Sequence, residues 1–63
     1  MNKPVKSYVL ADGDWHYLHD EEGYVYRYTK RGQARTHKAS ASLATDLPMD
    51  EIVILKETRE VIE

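Results

Sequence analysis

Residues 14–29, DWHYLHDEEGYVYRYT, hold five of the six aromatic side chains in this chain: Trp15, Tyr17, Tyr24, Tyr26 and Tyr28. The sixth, Tyr8, lies just upstream. Asp20-Glu21-Glu22-Gly23 divides the stretch as a turn does, with Asp opening it and Gly closing it. Tyr24, Tyr26 and Tyr28 recur with the two-residue period that puts strand side chains on one face. The stretch therefore predicts an antiparallel hairpin. A four-residue loop, Asp20 to Gly23, pairs His19 with Tyr24, Tyr17 with Tyr26 and Trp15 with Tyr28.

Upstream, Val5 to Ala11 has the Val and Tyr content of a strand. Asp12-Gly13 then carries the signature of a two-residue hairpin turn, pairing Ala11 with Asp14, Leu10 with Trp15 and Tyr8 with Tyr17. In this register Tyr8, Leu10, Trp15, Tyr17, Tyr24, Tyr26 and Tyr28 share one face. His16, Leu18, Val25 and Arg27 share the other. A bulge at Gly23 is the alternative; it slips the third strand by one residue and carries its tyrosines to the opposite face.

Downstream, Thr29-Lys30-Arg31-Gly32 breaks the alternation and reads as a loop. Ala39, Leu43 and Leu47 recur every four residues among further alanines, which predicts a helix from about Thr36 to Thr45. Ala39, Ala41 and Leu43 also alternate as a strand would. Pro48 ends the element, because the residue before Pro is pushed out of helical geometry. Glu51-Ile52-Val53-Ile54-Leu55-Lys56 is a β-branched run and reads as a fourth strand. A helix beginning near Pro48 competes for the same residues. Val61 and Ile62 offer a short final pairing, and no internal repeat is visible. Residues 1–63 form a single small α+β domain on this reading: a three-stranded antiparallel meander, a short helix and a fourth strand. An all-β SH3-like barrel is the alternative if Gln33 to Leu43 is extended.

At 63 residues such a domain buries only about 60% of its unfolded surface. The chain has no Cys, so neither a disulfide nor a thiolate metal site supplements the core. Self-association as a homo-oligomer is the natural supplement. The N-terminal residues lack the apolar run of a secretory signal, and nothing approaches the ~18 apolar residues of a membrane span. A cytoplasmic protein with no membrane partner is expected. Net charge is −2, but the signs are segregated. No acid falls between Glu22 and Asp46, where Arg27, Lys30, Arg31, Arg35 and Lys38 occur.

Two features are candidates for function. The aromatic face, with Trp15, Tyr17, Tyr26 and Tyr28, could stack nucleobases. Its plainer reading is the hydrophobic core, covered by Leu43, Leu47, Ile52 and Ile54, with tyrosine hydroxyls left at an interface rim. The basic stretch Arg27 to Lys38 could hold a phosphate backbone or an acidic protein surface, or be a solvated face. His16 and His19, three apart on a strand, point to opposite faces and do not share a metal. The acids at the two turns lack the spacing of a calcium loop. Ser7, Ser40 and Ser42 have no motif around them, and the glycines form no phosphate-cradling series. No enzyme, cofactor or metal is expected.

In layout, the stretch WHYLHDEEGYVYRYTKRG followed by a helix resembles the arm-binding domains of phage-type integrases, which lay a sheet on DNA. With the DEIVILKE strand added, it also resembles the small phage inhibitors of uracil-DNA glycosylase, whose dimeric sheet occludes an enzyme's DNA-binding surface. These likenesses imply a phage or mobile-element accessory protein and carry over no individual residue. The expectation is a non-catalytic protein-binding or regulatory module that self-associates. Its binding residues would be Trp15, Tyr17, Tyr26, Arg27, Tyr28, Lys30, Arg31, Arg35 and Lys38. The alternative is nucleic-acid binding by the same aromatic face and stripe.

Overall fold

The computed structural model describes residues 3–63. Among the described residues Val5–Ala11 (β1) is the one strand with partners on both sides, in a sheet ordered β2-β1-β3. Val53–Arg59 (β3) pairs with it antiparallel from Val5↔Arg59 to Ala11↔Val53. Arg27–Tyr28 (β2) pairs on the other side, Tyr8↔Tyr28 and Val9↔Arg27. Two short helices follow β2: Arg31–Thr36 (α1) and Lys38–Thr45 (α2), separated by His37. A single 3₁₀ turn, Met49–Glu51, leads into β3. The chain is thus the small α+β domain expected.

The segment between β1 and β2 departs from the expected meander. It makes only isolated bridges, Ala11↔Tyr17 and His19↔Val25. Neither turn has the expected geometry. At the first, the Trp15 amide donates to the Asp12 carbonyl and the Asp12 amide to the His16 carbonyl, both at 3.0 Å. The loop is therefore three residues, Gly13 to Trp15, and Trp15 supplies the positive φ, at 67°. This shifts the pairing from Leu10–Trp15 to Leu10–Leu18, whose amide donates to the Leu10 carbonyl. The cause is the Asp12 side chain. Its Oδ1 accepts from the amides of both Asp14 and His16, which holds a longer loop than the Asp-Gly dipeptide implies.

The second turn repeats the first eight residues on. Gly23 donates to the Asp20 carbonyl and Asp20 to the Tyr24 carbonyl. Asp20 Oδ1 accepts from the Glu22 and Tyr24 amides, and Gly23 holds φ 90°. This is the Gly23 bulge, so the alternative register is the one formed. Leu18, not Tyr17, lies opposite Tyr26. The eight-residue spacing also closes a ring of backbone hydrogen bonds: Leu18 donates to Leu10, Tyr26 to Leu18, and Leu10 to Tyr26. A structural repeat is therefore present where the residues alone show none.

The new register divides the aromatic residues. Tyr8, Leu10, Leu18, Tyr26 and Tyr28 lie on the face covered by the helices, where Leu10, Leu18, Ala34, Ala41 and Ile52 form the buried cluster. Tyr17 pairs with Ala11 and so lies on the other face, with the buried Ser7 and Val9. Trp15 and Tyr24 belong to neither and are exposed.

The helical region begins earlier than expected. Arg31 and Gly32, read as loop, open α1, so that Ala34 reaches the core. The SH3-like alternative falls with this, because residues 33–43 are not extended. Leu43, expected to cover the aromatic face, is 85% exposed, and Ala41 is buried in its place. The buried stripe runs Ala34, Lys38, Ala41 and Thr45, one helical period through both helices that is out of phase with the expected Ala39, Leu43 and Leu47. β3 starts two residues later than expected and runs further, because Met49–Glu51 forms the one turn of 3₁₀ helix after Pro48. Val61 and Ile62 are exposed and form no strand. No helix among the described residues is long and apolar enough to cross a membrane.

Candidate protein-interaction surface

Eight of the nine expected binding residues fall into three groups that do not form one surface, and Trp15 stands apart. Tyr26 and Tyr28 are half-buried and pack against the core. Tyr28 stacks on His37, ring centroids 4.8 Å apart and planes 18° off parallel. Burial raises the Tyr28 phenol above its ordinary pKa. These rings cement α1 and α2 to the sheet and are not a bare platform.

Tyr17 and Arg27 meet on the opposite face at a residue the sequence did not single out, Glu57. The Tyr17 hydroxyl donates to Glu57 Oε2. The guanidinium groups of Arg27 and Arg59 stand 3.0 and 3.2 Å from Oε1, although neither gives Oε1 a well-aligned hydrogen bond. The Tyr17 bond, then the two arginines, hold the Glu57 carboxyl below the usual range. The same bond raises the Tyr17 phenol. Glu57 thereby fastens the first hairpin and β2 to β3. Nothing local in the sequence marks this role; it follows from the pairing of Ser7 with Glu57 and Val9 with Arg27.

Lys30, Arg31 and Arg35 are exposed at and along α1, with Arg31 and Arg35 one turn apart. Lys38 is half-buried at the start of α2. Among the described residues none of the four has an acidic side chain within ion-pair distance. The expected stripe is thus broken, since Arg27 lies on the other face of the sheet and is neutralised.

Trp15 remains alone. It is 72% exposed at the tip of the first hairpin, in the left-handed backbone region. A bulky residue there costs about 1–2 kcal/mol relative to ordinary backbone geometry. Beside it Asp12, Gly13, Asp14, Leu47, Asp50, Glu51 and Val53 line an open groove of about 450 Å³. Asp12, Asp14 and His16 bring possible metal-ligand atoms within 4.8 Å of one another. Both Asp12 oxygens are already engaged, Oδ1 by backbone amides and Oδ2 by His16 Nδ1 at 3.3 Å. Those amide bonds, that of His16 first, lower the Asp12 pKa. The trio holds a turn together. His16 and His19 do not converge, the first lying at the turn and the second at the bridge to Val25.

No family model, curated protein or solved structure matches the chain.

Proposed function

We propose that the chain is a non-catalytic protein-binding, regulatory module whose contact surface is centred on Trp15. One observation carries this reading. The largest side chain in the protein is held in solvent at a backbone position that glycine fills without cost in the sister turn. An exposed Trp on a rigid tip is a typical binding anchor, offering a large apolar area at low entropic cost. A strained residue at a surface tip also points from the outlier to function. The carboxylates around the neighbouring groove stand with no thiol, serine motif or phosphate cradle, which supports binding over catalysis. The Cys-free sequence supports a reducing compartment such as the cytoplasm. The phage or mobile-element setting rests on likeness of layout alone and is carried no further.

The test uses the intact chain and W15G as paired baits in extracts of the source cells. Proteins held by the parent and lost from the variant support the reading, and a blue shift of Trp15 emission on adding the captured protein places the ring in the contact. Equal capture by both baits sinks it.

A second reading, nucleic-acid binding, is favoured by the exposed Lys30, Arg31 and Arg35. It now rests on cations alone, since Tyr26 and Tyr28 pack inward. Titration with single- and double-stranded oligonucleotides decides it. Affinity that falls steeply with salt and drops on Arg31→Ala or Arg35→Ala supports it, and absence of binding at low salt removes it.

A further inference from the structure

We propose that β3 is a dimerisation edge, pairing antiparallel with β3 of a second copy about a two-fold axis at Leu55. The inference deepens the protein-binding reading by adding a second, separate surface. Trp15 takes no part in it, so either can fail alone.

β3 ends the sheet. All seven of its residues face β1 on one side. Among the described residues no backbone hydrogen bond engages Val53–Arg59 on the other. A free edge is a template for another strand. The charged half, Lys56 to Arg59, is the kind that blunts an edge. The other half is not, because Val53, Ile54 and Leu55 are apolar and only half-buried. The occupant is a second copy because the core is thin and the strand complements itself. Among the described residues three of the seven buried apolar ones are alanines, and a domain of this size gains most from extending its core.

Geometry and charge select one register, since an axis at Val53, Thr58 or Arg59 would leave at most three residues of each β3 within the ladder. A two-fold axis normal to the sheet keeps each face with itself, so the axis passes through a residue position. At Lys56 it would set Lys56 against Lys56; at Glu57, Glu57 against Glu57; at Ile54, Glu57 against Glu51. At Leu55 it sets Leu55 against Leu55, Ile54 against Lys56 and Val53 against Glu57, with no like charges opposed. Arg59 of each copy then lies toward Glu51 of the other, the last residue of the 3₁₀ turn before β3, giving unlike charges just beyond both ends of the ladder. Within one copy Glu51 and Arg59 stand at opposite ends of a strand whose seven residues span roughly 20 Å, so they attract only across the dimer.

The sequence contains no Cys, so single Leu55→Cys and Thr58→Cys variants of the full chain report directly. Directly opposed strand residues have Cα atoms about 4.5–5.5 Å apart, within disulfide reach. The two Thr58 positions would be separated by roughly 20 Å. Sedimentation equilibrium is expected to show a dimer, with Leu55→Cys oxidising to a covalent dimer and Thr58→Cys dimerising without a disulfide. Arg59→Glu should weaken the dimer at least several-fold, and Glu51→Arg added to it should restore it. A strict monomer up to about 1 mM, equal cross-linking at both positions, or failure of the charge swap to restore association overturns the proposal. So does a monomer whose β3 accepts only a foreign extended peptide.

Discussion

Trp15 and Gly23 occupy equivalent backbone positions in two turns of the same hydrogen-bonded form, eight residues apart, with φ 67° and 90°. One turn uses the residue suited to that conformation and the other uses the residue least suited to it. The difference is testable in both directions.

Trp15→Gly is expected to stabilise the isolated domain by about 1 kcal/mol. It relieves the left-handed strain, partly offset by the greater freedom glycine brings to the unfolded chain. Chemical denaturation with an unchanged m-value checks it. A loss of stability would show that the indole makes a contact the fold requires.

Gly23→Ala is expected to cost about 1 kcal/mol by the same measurement. A Cβ at Gly23 meets nothing within 4 Å, so the cost is conformational and not one of crowding. Gly13, which has no positive φ and equal room, should accept Ala with little change. If Gly13→Ala proves the costlier, the loop geometry at Asp12 is not as described.

The Glu57 cluster sets the pH response. Glu57 titrates below its ordinary 4.5 in the folded protein. The stability it contributes is therefore present above that pH and lost as pH falls through the lowered folded value. Tyr17 titrates above its ordinary 10.0, so its contribution is present below that pH and lost as pH rises through the raised folded value. Glu57→Gln should flatten the acid limb of a stability–pH profile, and Tyr17→Phe the alkaline limb. A double-mutant cycle should show the two residues to be coupled. Parallel profiles for parent and Glu57→Gln would separate the carboxylate from the acid response.

Leu10 and Leu43 should behave oppositely. Leu10 is fully buried, and Leu10→Ala is expected to cost about 2–5 kcal/mol. A chain of this length holds roughly 3–9 kcal/mol in all, so the variant should be partly or wholly unfolded by circular dichroism. Leu43→Ser should shift the denaturation midpoint little. An equal loss at both positions would place Leu43 in the core after all.

What could be read from the residues followed their local physics. The Val5 to Ala11 strand, the β-branched run that became β3 and a helical stretch rich in alanine were all legible, because period and composition decide them. The Gly23 bulge was legible as an alternative. The first turn was not. Asp12-Gly13 is a strong dipeptide signal, yet the Asp12 carboxylate captures two amides beyond it and lengthens the loop. The eight-residue repeat left almost no trace, since among residues 12–19 and 20–27 only the two leading aspartates match. Its common element is the hydrogen-bonding of Asp Oδ1 and a positive φ, which Trp and Gly satisfy at different cost. Once that register had moved, face assignments built on it moved too, which is why Tyr17 and Arg27 meet Glu57 and not the helices. Glu57 was invisible because its partners come from strands far apart in sequence.

The position of β1 carries one more consequence. Its partner β3 comes after both hairpin turns in the chain, so during synthesis β1 has one side open while both turns can already close. Val9 and Ala11 stay unprotected through that interval. A nascent chain from which β3 has not yet emerged would therefore be a better substrate for chaperones and proteases than one from which it has.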